Sequence, residues 1–143
     1  MKSLNQLIIT LMVCLFSIQA WAQSGKLFNT DNQLSSNLAT QVFQDKSGFI
    51  WIATRNGLNT YDGYHITVIK KDMSNFLGLK SNYINCIAQD DKGHILLGTN
   101  NSLLEFTGSE FLKIPMLDSK GEELATYVKQ VYPLKNKDVA VAT

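Results

Sequence analysis

The amino-acid sequence predicts an all-β protein built from a repeated antiparallel meander. The first observation is the stretch from Asp45 to Gly63, in which turn signals alternate with strand patterns. Asn56-Gly57 and Asp62-Gly63 are strong two-residue hairpin signals, because both central positions of a type I′ turn need positive φ. The segments between them are short and rich in β-branched and aromatic residues, which favours strands over helices. The second observation is that this stretch recurs further along the chain.

The recurrence has a fixed offset of 45 residues and needs no gap. Leu34-Ser35-Ser36-Asn37 matches Leu79-Lys80-Ser81-Asn82, and turn glycines, strand apolar residues and a Gln-Asp pair then stay in register. The further matched pairs are Gln44 with Gln89, Asp45 with Asp90, Gly48 with Gly93, Ile50 with Ile95, Thr54 with Thr99, Asn56 with Asn101, Leu58 with Leu103 and Gly63 with Gly108. A fixed period of this length indicates a repeat architecture.

A third copy begins at Leu124, which stands 45 residues after Leu79. Residues 127–134 are predicted to form its first strand, and residues 138–143 resemble Phe49–Thr54 after a one-residue slip. The sequence ends at the point where the first copy continues into its Asn-Gly turn. We therefore expect a partial third copy that belongs to a fragment or to a truncated gene.

Each complete copy supplies four short strands, which in the first copy are predicted at residues 39–44, 49–54, 58–61 and 65–70. Units of about 40–50 residues with four strands and tight turns are typical of β-propeller blades. The sequence therefore predicts two complete blades, residues 34–78 and 79–123 with their connectors, and a partial third blade, residues 124–143. Since a propeller typically has four to eight blades, the predicted ring is incomplete.

The first 33 residues contain two segments outside the repeats. Lys2 precedes an apolar run from Leu7 to Ile18, and Ala20-Trp21-Ala22 offers small residues at the positions that a signal peptidase reads. Because the run is shorter than the roughly 20 apolar residues that span a bilayer, we predict that residues 1–22 are a cleaved signal peptide. Residues 23–33 form an N-terminal segment, within which residues 26–30 are a candidate extra strand that closes the ring against the last blade.

Charge and cysteine content restrict the function classes. The chain has a formal net charge of +1, so its bulk charge gives no reason to expect contact with nucleic acid. Removal of the predicted signal peptide leaves Cys86 as the single cysteine, which excludes an intramolecular disulfide in the mature region. Because no base or metal-ligand partner is near it in the sequence, Cys86 is interpreted as a small core residue rather than a redox sensor.

The sequence contains no recognisable catalytic, cofactor-binding or metal-binding motif. There is no Gly-x-Ser-x-Gly, His-Glu-x-x-His, phosphate-binding glycine loop or cysteine pair at zinc spacing. His65 and His94 occupy non-equivalent positions in the two copies and are interpreted as surface or strand-end residues. Asp45 and Asp90 suit the first position of a turn, where an Asp carboxylate accepts hydrogen bonds from backbone amides two residues on.

Turn residues that differ between the copies are the candidates for ligand binding, because propeller ligands bind at rims built by loops. Arg55 lies between the second and third strands, where the second copy has Asn100, and Tyr64 follows the Asp62-Gly63 turn. A guanidinium at position 55 suits a carboxylate or a hydroxyl-rich ligand. Arg55, Tyr64 and Asn100 are therefore the predicted ligand-binding residues, whereas Trp51 is mid-strand and is predicted to lie in the inter-blade core.

The first copy reads LSSN, then QDKSGFIWIAT, NGL and YDG, and this pattern resembles the two-component regulator propeller repeat. The second copy departs from it, with Leu96 where the family has Trp, Ser102 where it has Gly and Thr107 where it has Asp. In that family, propellers that follow a signal peptide mostly form the periplasmic sensor region of hybrid two-component sensor histidine kinases.

The resemblance implies a periplasmic, ligand-sensing role in signal transduction, with an oligosaccharide or another small molecule as the ligand. It places phosphorelay and histidine kinase activity in a longer parent protein, which supplies the remaining blades, is anchored in the inner membrane and forms a homodimer. Neither catalysis nor nucleic-acid contact is implied for this segment. The residues themselves leave two alternatives open: a secreted propeller enzyme of the lyase or glycosidase type, and a protein-interaction scaffold.

Overall fold

The structure is a computed structural model that describes residues 25–71, 78–134 and 138–143, together with Ser3 and Gln6. Nearly all of the predicted signal peptide and most of the first inter-blade connector therefore lie outside the described residues. From residue 25 onward, the secondary structure of the described residues consists of ten β-strands, a short 3₁₀ turn at Thr30–Asn32 and an isolated bridge between Leu117 and Glu123. No described helix has the length and apolar character needed to cross a membrane.

The strands form three antiparallel meanders, in which each strand pairs with the next one along the chain. The first sheet contains β1 (Ala39–Gln44), β2 (Ile50–Thr54), β3 (Gly57–Tyr61) and β4 (Ile66–Ile69). The second contains β5 (Ile84–Gln89), β6 (Ile95–Thr99), β7 (Leu103–Phe106) and β8 (Phe111–Ile114), and the third contains β9 (Gln130–Pro133) and β10 (Val139–Ala142). The predicted all-β class, with two complete blades and a partial third in an unclosed ring, is confirmed.

The 45-residue repeat is visible in the strand register. Val42 is paired with Ile52 in the first sheet, and Ile87 is paired with Leu97 in the second. The β1–β2 and β5–β6 pairs also share an irregularity. The register shifts between Ala39 and Gln41 near the start of β1, and between Ile84 and Cys86 near the start of β5. A bulge at the same position bends both strands alike, so the repeat extends to the local irregularity of the sheet.

The third sheet follows the same pattern with a one-residue slip. Pro133 is paired with Val139 in the way that Gln89 is paired with Ile95. Both strands of the third sheet thus stand 44 residues after their counterparts in the second, which places the slip before β9.

The hairpins lie where they were predicted, but the type I′ assignment is wrong. The turn between β2 and β3 has Arg55 and Asn56 at its centre, and Asn56 does not have positive φ. Thr54 holds this turn with its hydroxyl, which accepts a hydrogen bond from the backbone amide of Asn56 at 3.1 Å and donates one to the carbonyl of Gly57 at 2.8 Å. Gly57 has φ +134° as the first residue of β3, where a Cβ would lie 3.1 Å from the carbonyl oxygen of Ile69.

Apolar layers between consecutive sheets form the core. The layer between the first and second sheets includes Trp51, Leu58, Ile87 and Leu97, and the layer between the second and third includes Leu96. Side chains alternate along a strand, so the adjacent residues of β6 face opposite neighbours. Trp51 is 6% exposed and packs edge-on against Phe106, so its predicted place in the inter-blade core is confirmed.

The first strands of successive sheets lie side by side and are joined by side-chain hydrogen bonds to backbone. Thr40 Oγ1 donates to the carbonyl oxygen of Ile84 at 2.6 Å, and Asn85 Nδ2 donates to that of Val128 at 2.9 Å. Because these two contacts are equivalent by the repeat, each blade is attached to the next in the same way. Strands β1, β5 and β9 therefore form the common inner edge of the stacked sheets.

The candidate closing strand, residues 26–30, has no partner strand among the described residues, where residues 25–29 make no strand pairing and Thr30 begins the 3₁₀ turn. Phe28 packs edge-on against Tyr61 with ring centroids 5.0 Å apart, and Lys26 lies over the same ring with Nζ 4.4 Å from its centroid. Phe28 thus contacts Tyr61 as Trp51 contacts the repeat-equivalent Phe106. The N-terminal segment therefore covers part of the face of the first sheet that is turned away from the second, and its pairing with a last blade stays a prediction.

Cys86 is a buried core residue, as predicted, with 4% of its surface exposed. Burial raises the pKa of its thiol, against the opposing effect of backbone contacts from Gly98 and Val131. The thiol is therefore held in its neutral form and packs as a small hydrophobic side chain.

Candidate functional site

The turns of the two complete sheets lie at two opposite rims, because successive strands of a meander run in opposite directions. Rim A carries the β2–β3 turn (residues 54–57), the β6–β7 turn (residues 99–102) and the connecting segment 81–83. Rim B carries the β1–β2, β3–β4 and β5–β6 turns (residues 45–48, 62–65 and 90–93). Arg55 and Asn100 lie at rim A and Tyr64 at rim B, so the three predicted ligand-binding residues do not share one site.

At rim A, Arg55 and Asn100 contact the same short segment. The guanidinium carbon of Arg55 lies 5.5 Å from the centroid of the Tyr83 ring, which is a cation–π distance. Ser81 Oγ donates a hydrogen bond to Asn100 Oδ1 at 2.8 Å. Residues from two consecutive blades are therefore brought together by the chain that leads into the second blade.

Asn82 fixes this segment against the first blade. Its carbonyl oxygen accepts a hydrogen bond from the amide of Gly57 at 2.7 Å, and its Oδ1 accepts one from the amide of Lys71 at 2.6 Å. The repeated Leu-x-Ser-Asn motif thus has a structural role at the blade junction. It positions the flanking Ser81 and Tyr83 as partners for the two candidate residues.

Arg55 is chemically available. Its side chain is exposed, and among the described residues its guanidinium makes no hydrogen bond or ion pair, although one face is covered by Tyr83. A guanidinium has five N–H donors in a planar fork, which match a carboxylate or adjacent hydroxyl groups. At the junction between the first two blades, rim A therefore presents the Tyr83 ring, the Arg55 guanidinium over that ring and the Asn100 side-chain amide.

Tyr64 belongs to a different environment at rim B. Its ring is 87% exposed, and its amide donates to Asp62 Oδ1 at 2.7 Å. Together with Lys26, Phe28 and other residues it lines an open cavity of about 300 Å³ between the N-terminal segment and the first sheet. Backbone hydrogen bonds from His65 and then Tyr64 lower the pKa of the Asp62 carboxyl, so the turn favours the ionised form.

A second cleft at rim B lies between the first two sheets and was not predicted. Its volume is about 580 Å³, and its walls include Asp45, Phe49, Lys92 and His94. The Asp45 carboxylate accepts hydrogen bonds from the amide of Ser47 at 2.8 Å and from the Trp51 indole at 2.8 Å. The first bond confirms the predicted turn role of Asp45, and the second ties that turn to the inter-blade core.

The second sheet places three ionisable side chains together at the same rim. His94 Nδ1 lies 2.6 Å from Glu105 Oε1 and 3.5 Å from Asp90 Oδ2. Asp90 occupies the predicted first position of its turn, since its carbonyl oxygen accepts a hydrogen bond from the amide of Gly93 at 3.2 Å, and its Oδ1 accepts one from the amide of His94, four residues on, at 2.8 Å. Sequence reasoning took His94 as a surface or strand-end residue and missed the cluster, although the comparison of copies shows Phe49 and Thr60 at the positions of His94 and Glu105.

Stacked four-stranded meanders joined at their inner strands define a β-propeller. Two segments of the chain, residues 33–56 and 78–101, match the model of the two-component regulator propeller. Each matched segment runs from the blade junction through the first two strands to the rim A turn. The two matched segments stand one repeat apart, one in each complete sheet, so both blades are similar to this repeat.

The fold also matches solved structures. One is the extracellular domain of a protein from B. thetaiotaomicron assigned to the hybrid two-component systems, with 24% sequence identity and a TM-score of 0.68. The match covers 85% of this chain and 17% of that one, so the present chain spans about a sixth of its neighbour's length. At this identity the likeness shows the fold. Among curated proteins there is no match.

Proposed function

We propose that the chain is part of the extracytoplasmic ligand-sensing propeller of a hybrid two-component signal transduction protein. The observation that carries this proposal is the presence of two consecutive two-component regulator propeller repeats, which occupy two adjacent blades. The likeness to the extracellular domain of a protein assigned to the hybrid systems supports the location outside the cytoplasm. The predicted signal peptide agrees with periplasmic export.

In this proposal the present chain is part of the domain that binds the ligand, and a longer parent protein transmits the signal across the membrane. The parent supplies further blades and a membrane-anchored histidine kinase, and it acts as a homodimer. A ligand that binds one arrangement of the sensor subunits more tightly than another shifts the population toward that arrangement. The blade junctions suit this role, because each is fixed by a few directional hydrogen bonds and an apolar layer.

Rim A is the proposed ligand contact within this segment. The exposed Arg55 guanidinium, stacked on Tyr83, and the Asn100 amide are suited to an oligosaccharide, particularly one with a carboxylate. An aromatic ring provides a face for a sugar ring, and the guanidinium provides paired donors for oxygen atoms. Tyr64 is not part of this site, since it lies at the opposite rim.

The binding test uses a panel of neutral and acidic oligosaccharides with the full chain and its Arg55→Ala variant. We expect Arg55→Ala to weaken binding at least about tenfold, because hydrogen bonds to charged groups contribute about 1.5–3 kcal/mol. Tyr64→Phe is the matched control at rim B and should bind as the wild type does. Equal affinities of the wild type and Arg55→Ala for every bound sugar would remove rim A from the proposal.

The sensing test needs the parent protein and a reporter gene under its control. An oligosaccharide that binds should change reporter output, and Arg55→Ala should shift the response to higher ligand concentration. Chemical analysis of the incubated oligosaccharide distinguishes sensing from catalysis. Cleavage or elimination products made by the chain would overturn the sensor proposal in favour of a propeller enzyme.

A further inference from the structure

We propose that Asp90, His94 and Glu105 form a half-open binding site for a divalent cation of the zinc class at rim B of the second blade. The three side chains come from the β5–β6 turn, the residue before β6 and the middle of β7. One ligand atom from each lies within 4.8 Å of the others. This site is independent of the proposed sensor role and of the rim A contact.

The comparison of the two copies shows that this cluster is specific to the second blade. The first copy has Asp45, Phe49 and Thr60 at the equivalent positions, so the Asp is shared while the other two are replaced by His94 and Glu105. Turn formation accounts for the shared Asp. It does not account for an imidazole and a second carboxylate at two positions that are far apart in sequence and adjacent in space.

A further difference leaves one carboxylate oxygen of the turn without a donor. In the first blade Asp45 Oδ2 accepts a hydrogen bond from the Trp51 indole at 2.8 Å. Leu96 stands at that position in the second blade and has no donor to offer. Among the described residues the nearest recorded partner of Asp90 Oδ2 is His94 Nδ1 at 3.5 Å, which is too long for a good hydrogen bond.

Two of the three distances between ligand atoms are close to what a tetrahedral ion needs, and the third, between the Asp90 and Glu105 carboxylates, is within 4.8 Å. Zinc binds imidazole nitrogen and carboxylate oxygen at about 2.0–2.2 Å, which places neighbouring ligand atoms roughly 3.3 Å apart. Asp90 Oδ2 and His94 Nδ1 are already 3.5 Å apart, and His94 Nδ1 and Glu105 Oε1 must separate from 2.6 Å by less than 1 Å. The ion would take the place of the hydrogen bond between His94 Nδ1 and Glu105 Oε1, since an imidazole nitrogen that binds a metal carries no proton.

The three side chains of the cluster are partly exposed to solvent. The side chains of His94, Asp90 and Glu105 are 30%, 20% and 26% exposed. His94 lines the cleft between the first two blades, and Asp90 and Glu105 line a smaller cleft of about 180 Å³ next to the third. Three protein ligands with an open side leave the fourth position for water, and one nitrogen with two carboxylate oxygens suits zinc better than magnesium or calcium.

The test measures binding of Zn²⁺ to the full chain by titration calorimetry, with Co²⁺ absorption as a second readout of a tetrahedral site. We expect one ion per chain and a higher melting temperature with the ion. His94→Phe and Glu105→Thr introduce the residues that the first blade carries at these partly exposed positions, so each residue is compatible with the strand geometry there. Each should weaken Zn²⁺ binding by more than the roughly 10–100-fold caused by loss of a supporting residue.

His65→Phe is the matched control, because His65 Nδ1 also lies near a carboxylate, 3.6 Å from Asp62 Oδ2, but belongs to no group of three ligands among the residues that the structure describes. This variant should bind Zn²⁺ as the wild type does, and circular dichroism should show that all variants are folded. Absence of binding to the wild type would overturn the proposal. So would equal binding by His94→Phe and Glu105→Thr, since the ion would then be held elsewhere.

Discussion

Gly98 lies in the middle of β6, where the second blade has no room for a side chain. A Cβ at this position would lie 2.4 Å from Cys86 Sγ and 2.6 Å from Val128 Cγ1. We expect Gly98→Ala to lower the free energy of unfolding by about 1–3 kcal/mol, the usual cost of overpacking a core, as measured by urea denaturation. The first blade carries Ala53 here, so the strand itself accepts alanine.

The double variant Cys86→Ala/Gly98→Ala separates the two close contacts. Removal of the sulfur relieves one of them and leaves the contact with Val128, so the double variant should recover part of the lost stability. A Gly98→Ala variant as stable as the wild type would show that the layer between the second and third sheets is loosely packed.

The stability of the β3–β4 turn at rim B, residues 62–65, depends on pH through the Asp62 carboxyl. Its pKa in the folded chain lies below the ordinary value of 3.8, because the carboxylate accepts backbone hydrogen bonds from His65 and Tyr64. The ionised form therefore stabilises the turn above the ordinary pKa, and this contribution is lost as the pH falls through the folded value. The protection of the Tyr64 and His65 amides, taken relative to their intrinsic exchange rates at the same pH, should fall as the pH drops through the folded pKa, and Asp62→Ala should show the lower protection already at neutral pH.

The role of a residue could be predicted from the sequence where the role is local. The turn position of Asp45 is confirmed, because an Asx turn depends on residues within a few positions. The hairpin at Asn56-Gly57 lies where it was predicted, but its turn is centred one residue earlier than that dipeptide, because Thr54 and the close approach of Ile69 to Gly57 decide where the turn closes. The Asp90–His94–Glu105 cluster was missed, since Glu105 reaches the other two through the pairing of β6 with β7.

At the scale of elements, the predicted strands of the first copy agree with the structure within one residue at each end. Short strands between strong turn signals are determined by nearby sequence, which explains the agreement. The candidate closing strand at residues 26–30 stays a prediction, because a strand there needs a neighbouring strand to pair with and the described residues offer none. In its place Phe28 and Lys26 pack on Tyr61.

The Gln41 side chain joins the first blade to the second by two hydrogen bonds, and its replacement tests how much these bonds stabilise the chain. Its side-chain amide donates to the carbonyl oxygen of Ile87 at 3.0 Å and accepts from the amide of Ile87 at 2.9 Å. Gln41→Ala leaves both buried backbone groups without these partners, and we expect it to lower the free energy of unfolding by about 1–3 kcal/mol. Urea denaturation monitored by Trp51 fluorescence measures this loss.

Gln44→Ala is the matched control for Gln41→Ala. Gln44 is exposed on the same strand, and its side chain donates to the carbonyl oxygen of Gly48 in its own turn at 3.3 Å. Its replacement should change stability by no more than about 0.5 kcal/mol. Equal effects of the two substitutions would show that the hydrogen bonds between blades contribute nothing measurable.

At the scale of the whole molecule, the repeat predicts the stacking of blades because every copy must bury both faces of its sheet against neighbours. The second sheet has a neighbour on each face, and Ile87 is 3% exposed. Val42 is the equivalent residue on the far face of the first sheet and is 62% exposed. The same position is therefore a core site in one blade and a surface site in the other, and the difference depends on the presence of a preceding blade.

This difference gives a test of the ring. In the 143-residue chain, Ile87→Ala should lower the free energy of unfolding by about 2–5 kcal/mol, whereas Val42→Ala should change it by about 0.5 kcal/mol or less. In a longer parent whose last blade packs against the first, Val42 would be buried and Val42→Ala should become clearly destabilising. Urea denaturation of both substitutions in both proteins makes the comparison. If Val42→Ala stays neutral in the parent, the far face of the first sheet is not a blade interface and the ring does not close there.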